Sequence, residues 1–330
     1  MVVITGASSG IGRCTAALFS RHGWQVGLIA RSGPGLDAVC RDLALTGGRA
    51  VAAVADVSDG SALERAAAYL QSALGPTDVW VNCAGNGVYG RFVDVPKPEF
   101  DQVTAVTYLG MVNGTRAALR RMQPRGVGTV VNVCSAIAFH GMPLLSSYSG
   151  AKHAVRGFTE AVRRELRGDR SRVRLTTVYP PAVNTPFFSH AVSHMDKPPR
   201  PMWPVYQPEI VANSIYLAAT SRRPEMQVSG VTVLFALATR LVPRLVGRAI
   251  LRLGSAGQTT NSSEAARLRK PTLFAPSPFP SGTRGPFDAE ARAFSMQVWA
   301  SRHRASLAIG IALTTAGALT VRCWRRNRRP

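Results

Sequence analysis

Short β-branched runs punctuate the first half of the chain, each followed by small residues and then by a stretch with helical spacing. "VVIT" (residues 2–5) is a continuous apolar run that reads as a strand buried on both faces. "GASSGIG" follows, and then "RCTAALFSRHG", where Ala17, Leu18 and Phe19 fall in a helical pattern that closes at Gly23. "QVGLIARS", "AVAAVADVSD" and "DVWVNCAGNG" repeat the strand signature, and "SALERAAAYLQSAL" has the spacing of a helix. A fifth strand is expected in "GTVVNVCSAIAFHG". It precedes "SYSGAKHAVRGFTEAVRREL", a helix with Ala151, Val155, Phe158, Val162 and Leu166 towards the sheet. Strands alternating with helices predict an α/β fold, a doubly wound parallel sheet with helices on both faces.

In such sheets ligands bind beyond the carboxyl ends of the strands, and the residues there carry chemistry. Gly6 permits a tight turn after the first strand, Gly10 lets a phosphate approach the backbone, and Gly12 allows close helix–strand packing. The following helix start offers free N–H groups and a positive dipole end to a pyrophosphate. A purely structural glycine turn is the plain alternative. The second strand ends in Ala30 and Arg31, where an acid would bind a ribose 2′-hydroxyl. Arg31, with Arg13 nearby, predicts NADP(H) rather than NAD(H), unless Arg31 is an ordinary surface charge. The third strand ends at Asp56, and the fourth runs into a loop with Asn82 and Gly85.

The fifth strand delivers Ser135 to the same edge, and Tyr148 and Lys152 lie one helical turn apart. An ammonium near a phenol favours the phenolate and lowers its pKa. Tyr148 then serves as general acid or base at a carbonyl/alcohol oxygen, while Ser135 holds that oxygen by a hydrogen bond. The hydride would come from a nicotinamide bound at the glycine turn.

With these residues the chain resembles a short-chain dehydrogenase/reductase of the classical type over about residues 1 to 235. The family's T-G-x-x-x-G-x-G stands as Thr5-Gly6-Ala7-Ser8-Ser9-Gly10-Ile11-Gly12, and its N-N-A-G as Asn82-Cys83-Ala84-Gly85. The active-site Ser corresponds to Ser135, and Y-x-x-x-K is Tyr148 to Lys152. The resemblance implies a Rossmann-type sheet, an oxidoreductase, and cofactor contacts from Gly6, Ser8, Ser9, Gly10, Ile11, Gly12, Arg31, Asp56, Asn82, Ala84, Gly85, Tyr148, Lys152, Pro180 and Thr185. Asp56 would meet the adenine and Lys152 also the nicotinamide ribose. Family habit implies a homo-oligomer. Three departures stand out: Thr107 replaces the Asn that supports a proton-relay water, Pro180-Pro181 replaces "PG", and Cys83 replaces the second Asn. A catalytically silent dinucleotide-binding scaffold or redox sensor is the alternative, supported by Thr107 alone.

At 330 residues and 46% hydrophobic, the chain can bury one sizeable core and carry an appendage. Its cysteines (Cys14, Cys40, Cys83, Cys134, Cys323) are odd in number and without C-x-x-C spacing. That argues against a disulfide framework or structural zinc and suits a reducing compartment. No signal peptide is visible at "MVVITGASSG", so a cytoplasmic protein is expected. Residues 184–206 fall where the family places its substrate loop, and Phe187, Phe188, Met202 and Trp203 suggest a small lipophilic carbonyl or alcohol substrate. His190 and His194, four apart with Asp196 nearby, have metal-like spacing, but the family chemistry needs no metal.

The net charge of +22 is concentrated in arginines towards the C-terminus. No recognisable nucleic-acid motif accompanies it, so nucleic acid is not the expected partner. The catalytic domain is expected to end at 235. A basic amphipathic helix over 236–254 carries Arg240, Arg244, Arg248 and Arg252 on one face and Leu241, Val242, Leu245, Val246, Ile250 and Leu253 on the other, with a kink at Pro243. It suits a membrane interface, a lid over a greasy substrate, or an ordinary packed helix. Residues 255–303 read as a Pro/Ser/Gly-rich linker. "ASLAIGIALTTAGALTV" (305–321), bracketed by arginines, sets a C-terminal membrane anchor over 304–324, with a basic tail at 325–330 on the cytoplasmic side.

Overall fold

Seven strands form one parallel sheet in the order β7-β6-β5-β4-β1-β2-β3. They are β1 (Val2–Thr5), β2 (Val26–Ala30), β3 (Ala50–Val54), β4 (Val79–Asn82), β5 (Thr129–Val133), β6 (Arg174–Tyr179) and β7 (Glu225–Gln227). The structure, a computed structural model, describes residues 1–254, 256–304 and 306. Val2 of β1 stands opposite Val26 of β2 and Val79 of β4, so the strand order reverses about β1. A crevice opens at such a reversal.

Around the sheet run α1 (Gly10–Arg21), α2 (Gly33–Leu45), α3 (Gly60–Leu74), α4 (Lys97–Thr104), α5 (Gly110–Met122), α6 (Ser146–Gly168), α7 (Phe187–His190) and α8 (Pro208–Thr220). Successive residues of a strand point to opposite faces. Val2 and Ile4 therefore pack with Phe19 of α1, Leu36 of α2 and Ile215 of α8. Val3 packs on the other face with Leu70 of α3, Met122 of α5 and Leu166 of α6. Burial on both faces explains why these strands read as continuous apolar runs.

The C-terminal third differs from its expected organisation. In place of one kinked helix there are two, α9 (Gly230–Leu241) and α10 (Pro243–Leu253), and the first begins before residue 235. Val242 between them leaves the helical region, at φ −136° and ψ 55°. Proline lacks an N–H and crowds the carbonyl four residues back, so Pro243 opens a helix instead of bending one. The arginines at 240, 244, 248 and 252 are exposed as expected. The apolar face is not packed away, since Leu241 and Leu245 are 78% and 58% exposed while Ile250 is buried.

Residues expected to form a linker are instead folded onto the domain. Besides α11 (Ser263–Arg267) and α12 (Met296–Arg302), Ala291–Arg292 adds a strand to Val205–Tyr206, which pairs in turn with Ala182–Val183. Leu273 is buried with Val88 and Val103, and Phe287 with Tyr89, Ile137 and Phe188. A Pro- and Gly-rich stretch shows no hydrophobic period, yet its main chain finds partners far away in sequence. The expected anchor lies outside the described residues, apart from 304 and 306, as does the basic tail. Among the described residues no helix is long and apolar enough to cross a membrane.

Candidate active site

Thr5, at the end of β1, ties two loops together. Its Oγ1 accepts hydrogen bonds from the N–H groups of Cys83 (3.1 Å) and Ala84 (3.2 Å). The loop after β4 therefore lies against the glycine turn. Gly6 has φ +68°, and a Cβ there would stand 2.8 Å from the Ala84 Cα. A Cβ on Gly12 would stand 2.2 Å from the Gly6 carbonyl oxygen, so the start of α1 tolerates no side chain. Ser9 makes no side-chain cap and the first turn of α1 holds no acid. The Gly10 N–H donates to the Gly282 carbonyl at 3.0 Å, and the rest of the positive helix end is left for an anion.

A cavity of about 530 Å³ runs from this turn to Tyr148, and every predicted site residue except Asn82 lines it. Asn82 stands apart. Its side chain turns into the core, where Oδ1 accepts from Trp80 Nε1 (2.8 Å) and Nδ2 donates to Asn132 Oδ1 (2.9 Å) and Thr115 Oγ1 (3.1 Å). Asn132 Nδ2 in turn donates to Thr159 Oγ1 at 2.9 Å. This buried network joins β4 and β5 to α5 and α6, and its members satisfy one another.

Ser135, Tyr148 and Lys152 converge at the other end of the cavity. The Ala136 N–H donates to the Pro180 carbonyl at 2.8 Å, which sets the turn that presents Ser135. Ser135 Oγ accepts from the Ile137 N–H at 3.3 Å. Tyr148 sits in the first turn of α6 with its ring 5.4 Å from that of Phe187. The Lys152 side chain is buried, and its Nζ donates to the Val133 carbonyl at 2.9 Å. Burial pushes the Tyr148 phenol well above its ordinary value, with Cys134 and Cys83 adding to the rise and a hydrogen bond with Ser135 opposing it. Burial also lowers the Lys152 ammonium. The expected lowering of the phenol by Lys152 is not seen: burial, the largest cause, moves Tyr148 the other way, towards the protonated form that donates a proton.

Thr107 lies in a π-helical turn (Ala105–Leu109) between α4 and α5. Its Oγ1 accepts from the Asn86 N–H (3.2 Å) and donates to the Asn86 carbonyl (3.1 Å), so the hydroxyl clamps the loop after Gly85. Asn86, which no sequence motif singles out, lines the cavity, and its Nδ2 is buried without a partner among the described residues. At the far end, Asp56 Oδ1 accepts from the Ser58 N–H (2.9 Å) and hydroxyl (2.7 Å), while Oδ2 lies 3.7 Å from Arg31 Nη1. Arg31 also donates to the carbonyls of Thr272 (2.5 Å), Leu273 (3.1 Å) and Phe274 (3.3 Å).

Phe187, Phe188, Met202 and Trp203 line the cavity beside Tyr148, together with Leu145 and Phe235. The histidines of the substrate loop have separate partners. His194 Nε2 lies 2.7 Å from Glu99 Oε2, and His190 Nε2 lies 3.2 Å from Ser281 Oγ.

Residues 1–196 match the family model described as short chain dehydrogenase. An uncharacterised oxidoreductase of Bacillus subtilis (strain 168), YxnA, is 34% identical over 276 residues, which cover 81% of this chain and 77% of that protein. A 3-dehydrosphinganine reductase of Danio rerio is 35% identical over 193 residues, 57% of this chain and 58% of that one. Among solved structures, a single-residue variant of actinorhodin polyketide ketoreductase with NADPH superposes with a TM-score of 0.62 at 27% identity, covering 70% of this chain and 96% of that chain. A short-chain dehydrogenase/reductase from Burkholderia phymatum in complex with NAD shares the fold, with a TM-score of 0.66 at 21% identity over 74% of this chain and 94% of that chain. The uncapped, acid-free start of α1 and the side-chain-free approach at Gly12 suit the pyrophosphate of a nicotinamide dinucleotide. From the extent of the family match and of the Bacillus relative, the chain belongs to the short-chain dehydrogenase family.

Proposed function

We propose that the protein is an NADP(H)-dependent oxidoreductase acting on the carbonyl/alcohol group of a lipophilic substrate. The observation that carries this reading is the meeting of Ser135, Tyr148 and Lys152 at one end of a cavity whose other end is the glycine turn. A bound nicotinamide supplies the hydride in reduction and receives it in oxidation. In reduction the Ser135 hydroxyl donates a hydrogen bond to the substrate carbonyl, and Tyr148 gives its phenolic proton to the same oxygen as the alcohol forms. The Lys152 ammonium stabilises the phenolate left behind until a proton from solvent restores it. Relatives named as reductases support the reducing direction.

Arg31 on the cavity wall, with no acid at the end of β2, supports NADP(H) over NAD(H). The Phe187, Phe188, Met202 and Trp203 lining supports a lipophilic substrate. Exposed Leu241, Leu245 and Leu251 beside Arg240, Arg244, Arg248 and Arg252 suit the surface of an anionic membrane, from which such a substrate would come. NADPH oxidation by the full chain over a panel of hydrophobic ketones and aldehydes tests the reading.

A further inference from the structure

The stretch from Lys270 to Gly285 bridges the two lips of the cleft. On one lip its Lys270 and Thr272 N–H groups donate to the carbonyls of Ser189 and His190, each at 2.9 Å. On the other, the Arg31 guanidinium gathers the carbonyls of Thr272, Leu273 and Phe274, and Ser32 Oγ donates to the Ser277 carbonyl at 2.9 Å. The chain then crosses to the glycine turn, where Gly10 N–H donates to the Gly282 carbonyl (3.0 Å) and Arg13 to that of Ser281 (2.6 Å). Thr272, Pro276, Ser277, Phe279 and Ser281 thereby line the cavity.

Beyond the cleft this segment is fastened down. A Cβ on Gly285 would stand 2.6 Å from the Thr185 carbonyl oxygen, so the chain lies flat on the end of the substrate loop. Phe287 is buried, and its N–H donates to Asn184 Oδ1 at 3.1 Å. Asp288 Oδ1 accepts from Asn184 Nδ2 and Gln207 Nε2, both at 2.9 Å. The whole strap, like its anchors Phe287 and Asp288, lies C-terminal to the residues matched by the family model.

We infer that residues 270–285 form a strap that completes the dinucleotide site, walling in the cleft between Arg31 and the glycine turn. This rests on the dinucleotide reading of the cleft, though not on which dinucleotide binds. A wall hydrogen-bonded to both lips obstructs lateral exit of the nucleotide, so release is faster when the strap detaches. The Gly10 N–H, Arg13 and Arg31 donors are bonded to strap carbonyls here, so a bound dinucleotide keeps the strap in place only if it is met by the remaining N–H groups of these residues and of the first turn of α1. A strap that instead usurped those donors would be expelled by nucleotide.

The test uses the full chain, with amide hydrogen exchange over 270–285 and stopped-flow displacement of bound NADPH. Saturating NADPH is expected to slow exchange in the strap. Gly285→Ala, which lifts the strap off the Thr185 carbonyl, is expected to speed strap exchange and raise the NADPH dissociation rate about tenfold or more. Asp288→Ala, which removes two anchoring hydrogen bonds, gives the same comparison if Gly285→Ala does not fold. Nucleotide that accelerates strap exchange, or an unchanged dissociation rate in a variant whose strap exchanges freely, would overturn the inference. If neither NADPH nor NADH bound at all, the dinucleotide reading itself would fall, and the strap's role with it.

Discussion

The Lys152 ammonium lies 5.5 Å from the centre of the Tyr148 ring and donates its hydrogen bond to the Val133 carbonyl, not to the phenol. β5 therefore holds the lysine in place, one helical turn from the tyrosine, whatever the phenol's protonation state. Lys152→Met keeps the side-chain volume and removes the charge. It is expected to lower kcat/KM for carbonyl reduction by about 10² or more, while the urea midpoint stays level or rises, because burying an ammonium costs stability. A variant with full activity would remove Lys152 from the mechanism.

The proposed preference for NADP(H) rests on Arg31. Arg31→Ala is expected to raise KM for NADPH about tenfold or more and KM for NADH by clearly less, since loosening the strap affects both cofactors but only NADPH has a 2′-phosphate to lose. Equal losses for both cofactors would mean that Arg31 serves only to hold the strap carbonyls.

Much of this site was legible in the chain itself. β1, β2, β4 and β5 are apolar runs because both faces of the sheet are covered, and the glycines of the turn are spaced by the steric limits at Gly6 and Gly12. Tyr148 and Lys152 follow from the helical period. Asn82 was not legible, because its direction is decided by Trp80, Thr115 and Asn132, which only the folded sheet brings together. Nor was the strap. Arg13 and Ser281 are 268 positions apart, and a Pro- and Gly-rich segment bound through its carbonyls leaves no trace in side-chain pattern. Thr5 was visible as part of a motif, but not its job of tying two loops.

Stability should fall in alkaline solution. Burial raises the thiols of Cys14 and Cys83 to about 12 and that of Cys134 to about 11, from 9.0. It also pushes the phenols of Tyr89, Tyr148 and Tyr179 up from 10.0. The folded state keeps protons that the unfolded chain releases, so this stability is complete below about pH 9 and is lost as pH rises from about 9 towards the folded values. Lys152, lowered by burial, acts in the opposite sense but is a single group. Urea midpoints are therefore expected to fall steadily between about pH 9 and about pH 11. In the folded protein at about pH 8, iodoacetamide should spare Cys14, Cys83 and Cys134. Rapid alkylation of Cys83 would contradict its burial.

The exposed leucines and arginines of α9 and α10 predict a docking face for anionic lipid. Vesicles containing phosphatidylserine are expected to slow amide exchange over residues 236–254, and phosphatidylcholine vesicles to do so far less. Local protection separates this face from any contribution of the chain beyond residue 304. Exchange unaltered by either vesicle would mean that the leucines face something other than lipid.

In the proposed dinucleotide-dependent reductase, Tyr148 is the proton donor. The most direct measurement is NADPH oxidation with hydrophobic ketones and aldehydes by the full chain and by Tyr148→Phe, with NADPH binding followed in both. Tyr148→Phe deletes one hydroxyl from a packed ring, so it is expected to fold and to bind NADPH as the parent does. Its turnover should be lower by about 10² or more. Parent and variant turning over alike would contradict the assignment of Tyr148. Tight NADPH binding without turnover of any substrate, in either direction, would instead mark the protein as a silent dinucleotide binder.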